Sequence, residues 1–262
     1  MAFRLKTTKL WLLLRDEGFA GLRAKISDKR RDRSEERRYQ RWIERGSLDD
    51  GRRRQIREMV KALPQTPLIS ILLPVYNTDE RFLRLCVESV KSQLYPYWQL
   101  CIADDASTAK HVRPILEKYA SEDERVKVIF RETNGHISAA SNTALELVSG
   151  EFTTLLDHDD ELSEDALFWI AQEIDDHKNA ELIYSDEDLV DDRGRRSRPR
   201  FKPDWSPDLF LSLNLLNHLV AFRTDTLKKA GGFREGFEGS QDYDLELRFV
   251  EQIPEVAVRH IP

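Results

Sequence analysis

The chain has 262 residues, 40% apolar and 34% charged, enough for a real core in one large domain or in one domain with a smaller extension. Its net charge of −6 is uneven: residues 1–61 hold 19 Lys+Arg against 10 Asp+Glu, and the rest hold 22 against 37, so the two regions are expected to do different jobs. Two cysteines, Cys86 and Cys101, lie in no CxxC or Cys/His cluster; this argues against a zinc site and for core thiols in a reducing compartment.

Taken in chain order, the apolar run from Leu10 to Leu14 is far too short to span a bilayer, and no small-residue cleavage site follows it, so no secretory signal is expected. Residues 1–63 read as a basic helical N-terminal extension. Apolar positions recur at Tyr39, Trp42 and Ile43 and again at Ile56, Val60 and Leu63, which predicts two or three helices interrupted near Gly46–Gly51. The prolines of "LPQTP" (63–67) mark a linker. From 68 to 262 short apolar runs alternate with helical periods. Strands are predicted at 68–76, 98–105, 126–130, 152–157 and 181–186, and helices at 80–94, 110–120, 137–148 and 163–174, the last capped by Ser163. Repeated β-α-β units with near-continuous apolar strands predict an α/β fold, a mostly parallel sheet flanked by helices on both faces. Asn142, on the third of these helices, before the fourth strand, is expected to tie loops internally.

Such sheets bind ligands beyond the carboxyl ends of their strands. The polar residues fall there: Pro74, Tyr76 and Asn77 at the end of the first strand, Asp104 and Asp105 at the end of the second, Asp157, Asp159 and Asp160 at the end of the fourth, and Asp186, Glu187 and Asp188 at the end of the fifth. There is no GxGxxG after the first strand and no GxxxxGK[ST], which disfavours dinucleotide and P-loop cradles. An edge rich in acids repels a diphosphate unless a divalent cation lies between them, and carboxylate oxygens suit Mn²⁺ or Mg²⁺. On an extended backbone Asp157 and Asp159 point to one side, with His158 turned away from them. The plain alternative is an acidic surface run favouring the N-terminus of the next helix.

The segments "SILLPVYN" (70–77), "CIADDAS" (101–107), "NGHISAASNTALELVSGEFTTLLDHDD" (134–160) and "GSQDYDLELR" (239–248) occur in this order. Together they resemble the family-2 glycosyltransferases of GT-A fold over about residues 68–260, and "YSDEDLVDDRGRRSRPRFKPDWSPDLFLSLN" (184–214) resembles the branch that assembles bacterial O-antigen and surface polysaccharides, rhamnosyltransferases included. The resemblance implies that Pro74, Tyr76 and Asn77 line a nucleotide pocket, that either Asp104 or Asp105 reads the base, that Asp157 and Asp159 form a DxD pair on metal and diphosphate, and that Asp242 is the catalytic base. It likewise implies a nucleotide-sugar donor (a UDP- or dTDP-sugar), a Mn²⁺ or Mg²⁺ cofactor, inversion at the anomeric carbon and a glycan or lipid-linked acceptor. The family often has Glu-Asp where this chain has Gln241-Asp242; the aspartate is kept. The rival reading is a catalytically silent domain of the same fold, serving as a binding or scaffold subunit.

Other candidates carry two readings each. His260, expected to follow a short strand, is either a metal ligand near the chain's end or an ordinary surface or core histidine. Asp186 and Asp188 either meet acceptor or donor sugar or belong to a polar turn. The four arginines between Arg193 and Arg198 form either a lid over the diphosphate or a solvated loop. Trp205 is either a sugar platform or a core residue. Asp244 is expected to pair with Arg248 at i+4. The segment 3–15 suits either peripheral docking on the inner face of an anionic cytoplasmic membrane or packing as a helical extension. Nucleic acid is not an expected partner, since acids balance the arginines and no nucleic-acid module is recognisable. The expected location is cytoplasmic, and the ending at "VRHIP" is expected to mark a fragment or one module of a longer enzyme.

Overall fold

A computed structural model describes residues 34–191 and 193–262; the segment 3–15 lies outside them. The described residues fall into two compact units, one comprising 34–48 with 188–191 and 193–200 and the other Asp49–Glu187 with Phe201–Pro262. Helices α1 (34–46) and α2 (Asp50–Ala62) are separated by the break expected near Gly46–Gly51. Asp49 caps α2 by accepting from the Arg52 N–H at 2.8 Å. Ile56 and Val60, one turn apart, are its buried stripe. Arg53 adds a two-bonded fork to Glu164 at 2.7 and 2.8 Å, which holds the Glu164 carboxyl below its usual range.

The larger unit is built on strands β1 (Ile69–Val75), β2 (Trp98–Asp104), β3 (Val126–Phe130), β4 (Phe152–Leu155) and β5 (Leu182–Ser185). Helices α3 (Glu80–Lys91), α4 (Val112–Glu122), α5 (His136–Leu145) and α6 (Ala166–Asp176) connect them in turn. Every residue of β1 and β2 is buried, as strands covered on both faces require. After β5 come β6 (Glu187–Val190), β7 (Arg196–Arg200), α7 (Pro207–Phe210), β8 (Val220–Arg223), α8 (Thr224–Lys229), α9 (Gln241–Val250) and β9 (Val258–Ile261). The seven-stranded sheet runs β3-β2-β1-β4-β8-β5-β9. It is mostly parallel, as expected, but β8 is antiparallel to both β4 and β5. Cys86 and Cys101 are buried free thiols, and burial pushes the Cys101 thiol up to about 11.

Three local expectations change. The arginine-rich segment is not an open loop: β6 and β7 pair as a hairpin in the smaller unit, and the Asp191 carboxylate accepts from the Arg193 and Arg195 N–H groups to close its turn. His260 lies within strand β9 rather than after it. Helix α6 begins at Ala166 and Ser163 makes no side-chain cap; the Gln93 amide oxygen, from the segment following α3, accepts from the Leu167 N–H at 3.0 Å instead. Asn142 ties α5 to the loop before α9, bonding the Phe233 N–H and carbonyl at 2.9 and 2.8 Å. No described helix is long and apolar enough to cross a membrane.

Candidate active site

The parallel strands end on one edge, and β1 and β2 deliver their polar residues there. Pro74 is buried inside β1, opposite Ala103 of β2, while Tyr76 is 46% exposed. Asn77 sits in the left-handed region at φ 49°. Its side-chain oxygen accepts from the Thr108 and Ala109 N–H groups, both at 2.8 Å, and so locks the loop after β2 against the end of β1. Asp104 and Asp105 are both buried. Asp104 accepts a 3.3 Å bond from the Ser107 N–H. Asp105 accepts from the Gly135 N–H at 3.0 Å and faces Arg131 Nε at 3.2 Å. Gly135 is required there: a Cβ would lie 2.6 Å from Arg131 Nη2 and 2.9 Å from the Ala139 Cβ.

After β4 the chain does not stay extended. Residues 158–159 form a turn closed by the Asp160 N–H donating to the Asp157 carbonyl at 3.1 Å. That turn brings Asp160, not Asp159, back to Asp157. Ligand atoms of Asp157, Asp160 and His218 all lie within 4.8 Å of one another. The Asp159 side chain is 63% exposed, and His158 Nδ1 approaches it at 3.9 Å instead of turning away. Burial raises the Asp160 carboxyl above its usual range; Asp157, Asp159 and Glu187 add to this by repulsion and His218 opposes it. His218 reaches this edge because β8 is antiparallel: its first residues lie beside the last residues of β4, and His218 Nε2 stands 3.9 Å from Asp157 Oδ2.

Helix α9 supplies a further acid. Burial raises the Asp242 carboxyl, the Asp157 charge raises it further, and bonds from Asn217 and Gln241 oppose the rise. The Gln241 amide donates to Asp242 Oδ2 at 2.9 Å and the Asn217 amide at 3.5 Å. Asp242 therefore belongs electrostatically to the same group as Asp157 and His218. One turn on, Glu246 is fully buried, and neither carboxyl oxygen has a hydrogen-bond partner. Burial raises it well above its usual range, with Asp242 adding to the rise and Lys202 opposing it. Asp244 is held by Arg248 at 2.8 Å, as expected at i+4, and by Arg234 as well.

The remaining candidates are held elsewhere. The His260 ring stacks on Tyr184, with centroids 4.8 Å apart, and lies between Asp186 (3.0 Å) and Asp204 (3.2 Å). Asp188 belongs to the smaller unit, where it accepts from the Tyr39 hydroxyl and from Arg196 Nε. Trp205 packs on Phe210, which packs in turn on Tyr243 beside Asp242. The sequence reasoning did not single out His218, Asn217, Arg131, Lys202 or Glu246. The one available signal was "NLLNHLV", polar residues placed just before an apolar run that becomes β8.

The chain from 70 to 235 matches the family pattern described as glycosyl transferase family 2. It is 47% identical over 207 residues to protein y4gI of Sinorhizobium fredii, covering 79% of this chain and 23% of that protein. It is 42% identical over 194 residues to the O-antigen biosynthesis protein RfbC of Myxococcus xanthus, covering 74% of this chain and 15% of that protein. It thus spans less than a quarter of the length of either relative. The crystal structure of S. aureus TarS 1–349 in complex with UDP-GlcNAc is similar at 26% identity and a TM-score of 0.58, covering 69% of this chain and 52% of that one.

Proposed function

The chain is a member of glycosyl transferase family 2, and on that premise we propose that it transfers a sugar from a nucleotide-sugar donor to a glycan or lipid-linked acceptor during assembly of a bacterial surface polysaccharide. Residues 68–262 form the catalytic domain in this reading, and 1–63 are its basic extension. The observation that carries the proposal is the convergence of Asp157, Asp160 and His218 within 4.8 Å, with Asp242 electrostatically coupled to them. Similarity to a structure holding UDP-GlcNAc supports a UDP-sugar donor, with dTDP-sugars as the alternative. Similarity to RfbC supports O-antigen-type assembly.

The donor set fits a divalent cation. Two carboxylates and an imidazole meet on an edge where burial and the neighbouring carboxylates raise the Asp160 and Asp242 carboxyls above their usual range, so positive charge is favoured there. Asp157, Asp160 and His218 would hold the cation, and Asp159, at the exposed tip of the same turn, stays a candidate ligand. Oxygen ligands suit Mg²⁺ and Mn²⁺ alike, while the imidazole leans toward Mn²⁺. Bound there, the cation supplies positive charge to a departing nucleoside diphosphate.

The protein's own groups do the rest. Asp242 accepts the proton of the acceptor hydroxyl, and its raised pKa makes it a stronger base. Gln241 and Asn217 hold Asp242 Oδ2 and so orient the other oxygen. One direct displacement inverts the anomeric carbon and needs no protein nucleophile. Asp104 and Asp105, at the end of β2, are the candidates for reading the base. Asp105 already answers to Arg131 and Gly135, which leaves Asp104 less occupied. His260, Asp186 and Trp205 are better placed to shape the sheet's end than to hold the cation. The reaction takes place at the cytoplasmic side of the membrane, and the N-terminal segment is a candidate for peripheral contact.

The test is thermal shift with UDP, with and without Mn²⁺. Coupled stabilisation by the pair is expected. It should be lost in Asp157→Asn and in Asp160→Asn. Equal stabilisation by UDP with and without the metal would remove the cation site from the proposal.

A further inference from the structure

Lys202 is only 6% exposed, an unusual state for a lysine. Its main chain is anchored on both sides. The Lys202 N–H donates to Asp186 Oδ1 at 2.8 Å, and the carbonyl of the next residue, Pro203, accepts from the Tyr184 hydroxyl at 2.7 Å. Proline at 203 also biases Lys202 toward an extended backbone. From this fixed base the side chain reaches the segment between α7 and β8, where its ammonium donates to the carbonyl oxygens of Leu216 (3.1 Å) and His218 (2.9 Å). Residues 214–219 belong to no helix or strand, so these carbonyls have no ladder to satisfy them. The two carbonyls flank Asn217. The ammonium therefore grips the backbone at the point from which Asn217 reaches Asp242 and His218 reaches Asp157. The charge of Lys202 also acts on Glu246, on the helix that carries Asp242.

We propose that Lys202 is a positioning residue for the cation site: through the Leu216 and His218 carbonyls it fixes the backbone that aims the His218 imidazole at Asp157 and Asp160. The proposal rests on the cation-site reading above. Lysine suits the task because its ammonium is a compact three-donor charge on a long stem, able to satisfy two carbonyls at once in a buried place. A neutral side chain of equal length would fill the space and leave the backbone of 216–218 unheld.

Lys202→Met separates positioning from folding. In the wild-type chain, titration calorimetry gives the Mn²⁺ dissociation constant with UDP present and the UDP dissociation constant without metal; donor hydrolysis gives kcat and KM. In Lys202→Met the Mn²⁺ constant is expected to weaken at least about tenfold and kcat to fall at least about tenfold, by analogy with the loss of groups that orient metal ligands. Metal-free UDP affinity and donor KM should stay within about twofold, a split that general loosening of the fold would not produce. A folded Lys202→Met with wild-type Mn²⁺ affinity overturns the proposal. Should that variant fail to fold, Lys202→Gln is read by the same criterion. If wild-type UDP binding ignores Mn²⁺, the cation site falls and this inference with it, a result visible before any variant is made.

Discussion

Glu246 is a measurable weakness in the fold. It is completely buried on α9, and both carboxyl oxygens lack a hydrogen-bond partner. Replacing it by methionine keeps the length and removes the unpaired oxygens. A buried polar group left unsatisfied costs about 1–3 kcal/mol, and a volume-conserving swap gives back less than about 1.5 kcal/mol in strain. Lys202 keeps its two carbonyl partners in the variant. The net expectation near neutral pH is a gain of about 1–2 kcal/mol, or roughly 2–8 °C in Tm for a chain of this size. The gain has a pH signature. The folded carboxyl titrates above the ordinary value of 4.5, so as pH rises through that value the unfolded chain releases its proton first while the folded chain keeps it. Wild-type stability therefore falls with rising pH until the folded carboxyl also ionises, and Glu246→Met lacks this loss. Asp160 and Asp242 contribute in the same direction, but both are present in the two proteins and cancel in the difference. Thermal unfolding followed by intrinsic fluorescence across about pH 4 to 8 should show a Tm gap that widens with pH. A gap that is constant or narrows, or a variant less stable than wild type at the alkaline end, refutes the reasoning.

Asp242→Asn should lower transfer or donor hydrolysis by about 10²- to 10⁴-fold while leaving UDP affinity unchanged, since Asn keeps a hydrogen-bond acceptor for Gln241. Because burial and Asp157 hold the Asp242 carboxyl above 3.8, wild-type activity should fall as pH drops through that raised value; a rate flat down to the ordinary carboxylate range would deny Asp242 the role of base. His218→Ala should weaken Mn²⁺ in the UDP complex by about tenfold or more in titration calorimetry, and an unchanged constant would leave the cation to the carboxylates alone. Asn142→Ala strips Phe233 of two bonds and should cost about 1–3 kcal/mol by chemical denaturation, with Mn²⁺ affinity unchanged.

Much of the scaffold was legible because its signals are local. "LISILLPVY" and "WQLCIADD" are apolar runs of strand length between helical periods, and a strand buried on both faces needs no partner information to be read as one. The grouping of acids followed from a general property of parallel sheets, whose carboxyl ends share one edge. The short strand "VAFR" was missed because four residues carry too little period to reveal an antiparallel insertion. The arginine-rich hairpin was missed because β7 is polar throughout and the two apolar residues of β6, Leu189 and Val190, are adjacent and exposed, so nothing in the pattern marks a core-facing side.

The amino-acid sequence by itself determined the α/β order, the acidic edge and the family, since each rests on residues adjacent in the chain or on short motifs at set spacings. Which acids meet was decided by the tertiary structure. A turn at 158–159 carries Asp160 rather than Asp159 back to Asp157, and the antiparallel strand β8 brings His218, just before it, beside them. Lys202 and Glu246 look like surface residues until folding buries them, because a side chain's solvation depends on what packs over it and not on its neighbours along the chain.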